Sequence, residues 1–237
     1  MMNKKLEGTG VAIVTPFAEN GSVDYSGLEN LVRHLIDNGI DYLVVQGTTG
    51  ESATLTKEEK KEVLSCVQDV NEGRLPLVLG IGGNNTAAVT DDLGHFDLSA
   101  VDAILSVSPY YNKPTQEGIF RHYRTLAECS PLPLLLYNVP GRTASNISAE
   151  TTLRLAEACP NIVAVKEASG DLEQIGRIIG NCPKDFLVIS GDDALTLPML
   201  SIGGRGVISV LANVLPGQFS DMVRSALQGD FASARET

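Results

Sequence analysis

One lysine stands in apolar company. The run Ile162-Val163-Ala164-Val165-Lys166-Glu167 is built of β-branched and small residues up to Lys166, and burying an ammonium there is costly unless it has a partner or a use. Strand alternation sends Lys166 to the opposite face from Val165 and Glu167, so the adjacent carboxylate is not its natural partner. Two readings follow. Desolvation would lower the lysine pKa and supply the free amine that a Schiff-base nucleophile needs; alternatively, Asp192 or Asp193 at the end of a later run pairs with it.

Other reactive groups also sit at the ends of apolar runs. Gly47-Thr48-Thr49-Gly50-Glu51-Ser52 sets hydroxyls beside glycines that let backbone approach a small carboxylate, although the same residues make an ordinary turn. No Gly-Lys-Ser/Thr follows, so it is not a nucleotide phosphate loop. Ser108-Pro109-Tyr110-Tyr111-Asn112-Lys113-Pro114 places two phenols at a rigid turn, where they can relay protons. In Tyr137-Asn138-Val139-Pro140-Gly141-Arg142-Thr143 a phenol is followed by a guanidinium that can grip a carboxylate or stay solvated. His34, His95 and His122 fall in helix-like segments, and no His, Cys or carboxylate cluster has ligand spacing. Neither a metal site nor a Ser-His-Asp mechanism is expected.

Something must hold these groups together. Eight apolar runs can be picked out: Val11 to Thr15, Tyr42 to Gln46, Leu77 to Ile81, Ala103 to Val107, Leu134 to Asn138, Ile162 to Glu167, Leu187 to Ser190 and Val207 to Val210. Their Val, Ile and Leu content suits strands covered on both faces. Between them Leu28, Leu31, Val32, Leu35 and Ile36 repeat at helical spacing, as do Ile119, Tyr123, Leu126 and Ala127; Leu172, Ile175 and Ile179; and Phe219, Met222, Val223 and Ala226. Thr56 with Glu59 is a capping-box signature before Val63, Leu64 and Val67. Strict alternation predicts an α/β chain, a (β/α)8 TIM barrel in preference to an open sheet, with residues 1–237 as a single barrel domain. Its active site would lie at the strand C-termini. After Gly229 another helix begins as the chain stops, so a C-terminal truncation is expected.

Composition removes other classes. With 43% hydrophobic and 20% charged residues the chain can fill a core but has no run long enough for a membrane span. The net charge of -11 and scattered Lys and Arg argue against nucleic acid. The apolar stretch after Lys4 and Lys5 is broken by Glu7 and stopped by Pro16, short of a signal peptide, so a cytoplasmic location is expected. Cys66, Cys129, Cys159 and Cys182 show no paired spacing and are read as free thiols.

In combination, Gly47-Thr48-Thr49-Gly50-Glu51, Tyr110-Tyr111-Asn112, Tyr137 to Thr143, Val165-Lys166-Glu167-Ala168, Ser190-Gly191-Asp192-Asp193 and Gly206-Val207-Ile208-Ser209-Val210 resemble the motifs of the dihydrodipicolinate synthase family of pyruvate-dependent class I aldolases. The resemblance runs from Gly10 to about Gln218. It implies a lyase that joins pyruvate to L-aspartate 4-semialdehyde, giving 4-hydroxy-tetrahydrodipicolinate for lysine and diaminopimelate biosynthesis. It further implies an imine on Lys166 with no other cofactor and a hydroxyl relay of Tyr137, Thr48 and Tyr111. The pyruvate carboxylate would lie at Thr48 and Thr49, Gly191 and Ile208 would line the pocket, and Arg142 would bind the aldehyde's carboxylate. Family members form homo-oligomers, dimers or tetramers, in which the residue matching Tyr111 enters the neighbouring subunit's site. They also continue into C-terminal helices that are absent here. Ser52, Ala53, Asn84 and Tyr110 match a lysine-inhibition site, but Lys57 and Lys60 stand where inhibited members carry histidines, and Ala88 replaces a glutamate. N-acetylneuraminate lyases and 2-keto-3-deoxy sugar-acid aldolases share the lysine and tyrosine. Arg142 after Pro140-Gly141, the Thr48-Thr49 pair and Tyr111-Asn112 favour the synthase; a silent carboxylate-binding barrel is the reading from another class.

Overall fold

Apolar runs with no polar face must be covered on both sides, and closing them into a ring beneath helices does so. The computed structural model describes residues 5–237; residues 1–4, and with them Lys4 of the N-terminal stretch, lie outside them. Eight parallel strands form a closed barrel in chain order: β1 (Gly8–Ala12), β2 (Tyr42–Val45), β3 (Leu77–Gly80), β4 (Ala103–Val107), β5 (Leu134–Asn138), β6 (Ile162–Glu167), β7 (Leu187–Ser190) and β8 (Gly206–Ser209), the last pairing with the first. The expected barrel is present. The outer layer comprises α1 (Tyr25–Asp37), α2 (Lys57–Asn71), α3 (Thr86–Leu93), α4 (Gln116–Cys129), the single turn α5 (Pro140–Thr143), α6 (Ala149–Ala158), α7 (Leu172–Asn181), α8 (Thr196–Ser201), α9 (Pro216–Leu227) and α10 (Phe231–Glu236). Among the described residues no helix is long and apolar enough to cross a membrane.

The first strand is a correction, since it spans Gly8–Ala12 rather than Val11 to Thr15. Glycine disguised it. Gly10 is paired with Tyr42, and a Cβ there would lie 2.1 Å from the Tyr42 ring, which fills the barrel floor. The last strand likewise begins one residue early, at Gly206. Its backbone so nearly touches the Gly8 carbonyl that a Cβ would stand 2.3 Å from it.

Two apolar layers share the strands. Val44, Leu105, Leu135, Ala164, Ile189 and Ile208 fill the interior with Tyr42, while Leu43, Leu79, Ile104, Leu136 and Val165 pack outward against helix residues such as Leu28, Val32, Ile119 and Ile175. In β6 the pairing passes from Leu134↔Ile162 to Leu135↔Ala164, an extra residue at Val163. This bulge sets the later register, in which Tyr137 is opposite Lys166 and Asn138 opposite Glu167.

The entrances to the helices are capped by the chain's own side chains. Asp24, Thr56, Asn85, Thr115, Ser148 and Asp171 each accept from the first turn of the helix that follows. The Thr56–Glu59 capping box is complete. These caps fix where each loop at the strand C-termini ends, and therefore how far it can reach over the barrel mouth.

Candidate active site

Lys166 ends the inward-facing row of β6 and is 4% exposed. Its Nζ lies 4.4 Å from the centroid of the Tyr137 ring on the adjacent strand. A ring face attracts a cation but cannot replace the water removed by burial. Desolvation therefore dominates and brings the lysine down from 10.5 to about 8, with Arg142 acting in the same direction and Asp193 opposing it. At neutral pH that makes the free-amine fraction roughly 300-fold larger than in an ordinary lysine.

The ion-pair alternative is not realised. Asp192 Oδ1 accepts from the Ala194 N–H at 2.9 Å, and Asp193 Oδ2 accepts from the N–H groups of Val210 (3.1 Å) and Leu211 (2.8 Å). Among the described residues Asp193 Oδ1 is buried without a hydrogen-bond partner and makes no salt bridge with Lys166. It acts on the lysine through its field alone.

Tyr137 is buried, and burial raises its phenol above the usual 10.0, while a side-chain hydrogen bond with Thr48 and the charge of Arg142 pull it back. Thr48 opens a 3-10 turn after β2. The loops thus bring Lys166, Tyr137, Thr48 and Arg142 to one end of the barrel, with Thr49 in the same turn as Thr48 and Ile208 in the interior wall. Gly191 is required by the lysine stem, because a Cβ there would meet Lys166 Cε and Cγ at 3.0 Å and Ala168 Cβ at 2.8 Å. Tyr111 is different. It is 86% exposed on a left-handed backbone (φ 70°) and is not brought to Lys166 within the chain. Tyr110 is partly exposed, at 41%, and its carbonyl accepts from Asn84 Nδ2 at 3.2 Å. Ser52 lines a cavity of about 110 Å³ beside Thr48 and Tyr137, whereas Ala53 lies exposed outside it.

Three features escaped the sequence. On the outer face of the same strand ends, Asn138 Nδ2 donates to both Glu167 oxygens (3.0 and 3.1 Å), and Glu167 also accepts from the Ser169 N–H (2.9 Å) and Gln174 Nε2 (3.1 Å). This buried clasp ties β5 to β6 one residue beyond the Tyr137–Lys166 pair. Burial raises the Glu167 pKa, and the donors oppose that. Strand alternation put Glu167 on the outer face, but its partners come from three separate segments. Second, Gln46 holds a left-handed backbone (φ 58°) and bonds through Nε2 to the Lys60 carbonyl; an amide side chain at a strand end gives no local sign of this. Third, Asp91, Asp92 and His95 gather ligand atoms within 4.8 Å of one another, which corrects the expectation of no such cluster. The group lies at the surface, with Asp92 paired to Lys57 at 3.2 Å and His95 Nδ1 donating to the Asp91 carbonyl at 2.7 Å.

An amine of lowered basicity, a phenol hydrogen-bonded to a hydroxyl, and a guanidinium at the rim can form and protonate an imine with a small keto acid. Comparison with known proteins agrees with that chemistry. The family model described as "Dihydrodipicolinate synthetase family" matches residues 5–237. The 4-hydroxy-tetrahydrodipicolinate synthase of Flavobacterium psychrophilum is 58% identical over 221 residues, covering 93% of this chain and 75% of that protein. The crystal structure of dihydrodipicolinate synthase from Aquifex aeolicus is 44% identical with a TM-score of 0.94, over 98% of this chain and 78% of that one. The Acinetobacter baumannii enzyme, complexed with pyruvate, is 41% identical with a TM-score of 0.94, over 98% of this chain and 79% of that one. On sequence, fold and the content of the barrel mouth alike, the chain belongs to the dihydrodipicolinate synthetase family.

Proposed function

We propose that the chain is a lyase that condenses pyruvate with L-aspartate 4-semialdehyde to 4-hydroxy-tetrahydrodipicolinate, in the biosynthesis of lysine and diaminopimelate. The observation that carries the reading is the buried Lys166, in no salt bridge among the described residues and set against the face of Tyr137. The free amine attacks the keto carbon of pyruvate, and Tyr137, partnered by Thr48, supplies the proton with which the carbinolamine loses water. The imine then loses a methyl proton to give the enamine, whose carbon attacks the aldehyde. The substrate's own amino group displaces Lys166 from the adduct, so the ring closes and the amine returns without any other cofactor. Thr49 beside Thr48 suits the pyruvate carboxylate, Arg142 that of the aldehyde, and Gly191 and Ile208 the pocket wall.

Tyr111 completes the relay in this reading only from a neighbouring subunit, which fits its exposure and makes a homo-oligomer, a dimer or tetramer, the working form. The location in this reading is cytoplasmic. A sugar-acid aldolase would share Lys166 and Tyr137 but has less use for a guanidinium acting on both of them. Pyruvate with borohydride should leave a stable mass adduct on Lys166, absent in Lys166→Ala. Turnover with aspartate semialdehyde should exceed turnover with N-acetylmannosamine; the reverse order, or no adduct, sinks the proposal.

A further inference from the structure

The turn that carries Thr48 is not held by β2 alone. It is a 3-10 turn of three residues, Thr48–Gly50, and it runs into Glu51, a non-glycine residue on a left-handed backbone (φ 53°). Such a conformation is uncommon and persists only where the surroundings impose it. The peptide between Gly50 and Glu51 is fixed at both of its polar ends. Its N–H donates to the Thr48 carbonyl at 3.1 Å, and its carbonyl accepts from Thr15 Oγ1 at 2.7 Å. Thr15 is buried, so a Gly50 carbonyl that lost this donor would have little water to replace it. Gly50 is itself pressed against the same segment, since a Cβ there would lie 3.0 Å from the Ile13 carbonyl.

Thr15 comes from the chain beyond the end of β1, and that segment is anchored on either side of it. The Val14 N–H donates to Asn213 Oδ1 at 3.2 Å, and Asn213 Nδ2 donates to the carbonyls of Ala12 and Val210, both at 2.9 Å. On the other side the Pro16 carbonyl accepts from the Asp24 N–H at 2.8 Å, and Phe17 bridges to Val23. A fixed hydroxyl thus meets a strained turn. Thr48 of that turn is hydrogen-bonded to Tyr137. Rotation of the Gly50–Glu51 peptide would release the Thr48 carbonyl and free a carbonyl oxygen beside a bound carboxylate, which it repels.

We propose that Thr15 is a positioning residue for the reaction: its hydroxyl, on a segment pinned through Val14 and Pro16, locks the Gly50–Glu51 peptide and so sets Thr48 against Tyr137 and the Thr48–Thr49 backbone toward pyruvate. The kinetic part rests on the function proposed above; the placement of the turn does not.

Steady-state kinetics of Thr15→Val, which nearly keeps the shape and removes the hydroxyl, test the assignment. KM for pyruvate should rise about fivefold, the worth of one ordinary hydrogen bond, and borohydride trapping at low pyruvate should slow by a similar factor. KM for aspartate semialdehyde should stay at the wild-type value, because Arg142 and not the turn holds that substrate. Thr15→Ser keeps the donor and should restore KM for pyruvate. A fall in kcat with both KM values unchanged, or an equal rise in both, would mean that Thr15 only supports the barrel rim and would overturn the proposal; so would a serine variant no better than the valine one. Thr15→Ala asks the same question should the valine variant not fold. Independently of turnover, 13Cζ-labelled tyrosine reports the Tyr137 phenol by NMR, its signal assigned by its loss in Tyr137→Phe. Thr15→Val should move that signal in the direction in which Thr48→Val moves it, and an unmoved signal overturns the placement of the turn. No pyruvate adduct on wild-type Lys166 would count against the proposed function, and the Tyr137 signal would still decide the role of Thr15.

Discussion

At the scale of single residues, the amine of Lys166 is tuned by a balance of three effects rather than by one partner. Burial lowers its pKa, Asp193 raises it and Arg142 lowers it, and together they leave it at about 8. The sign of each variant follows. Removing the Asp193 charge with Asp193→Asn should lower the lysine pKa and move the ascending limb of imine formation to lower pH; Arg142→Ala should move it to higher pH. Borohydride trapping of pyruvate alone, without the aldehyde, measures this limb free of any role of Arg142 in binding the second substrate. Equal limbs in wild type and both variants would mean that the field of neither group reaches the amine. The type and position of the lysine were legible because one cation in an apolar run is a local signal. The absence of an ion pair was not, because Asp193 turns instead to the backbone of Val210 and Leu211, which follow the next strand.

At the scale of elements, the β5–β6 seam positions the reacting pair. The bulge at Val163 sets which residues face each other, and the clasp of Asn138, Glu167, Ser169 and Gln174 holds that register where the strands end. Glu167→Ala would leave the buried Asn138 amide with Asn146 Oδ1 and the Ile147 carbonyl as its acceptors and remove the acceptor of the Ser169 N–H and Gln174, costing about 1–3 kcal/mol, read as a lower urea midpoint. It should also slow imine trapping, since the amine and ring would lose their fixed separation. Glu167→Gln keeps one acceptor and should recover part of both. A fall in stability with unaltered trapping would confine the clasp to a structural role. The helices themselves were readable where amphipathic spacing was strong, as in Leu28, Val32 and Leu35 of α1. The helix α6 was not, because Ala149, Thr151, Thr152 and Ala156 form much of its buried face and small or hydroxyl residues give little contrast.

At the scale of the whole molecule, the barrel is closed by residues that have no side chain to show. Gly10→Ala would push a methyl into the Tyr42 ring, whose hydroxyl donates to the Val207 carbonyl at 3.2 Å. A destabilisation of about 1–3 kcal/mol is expected from such overpacking, while the folded fraction still traps pyruvate, because this floor lies at the opposite end of the strands from Lys166. Gly176→Ala in α7 meets nothing within 4 Å and should stabilise by about 0.5–1 kcal/mol. Urea unfolding of the pair separates a steric glycine from a merely helical one. The sequence by itself determined the alternation of strands and helices, the closed α/β architecture and the candidate nucleophile, because periodicity, caps and a misplaced charge are written within a few consecutive residues. Tertiary structure decided what meets what. Tyr137 faces Lys166 because of a bulge, Thr48 reaches Tyr137 across the barrel mouth, Tyr111 turns outward, and Lys60 joins Gln46. Each depends on the stagger with which distant strands close the ring, a choice made by packing over the whole barrel and not by any one segment.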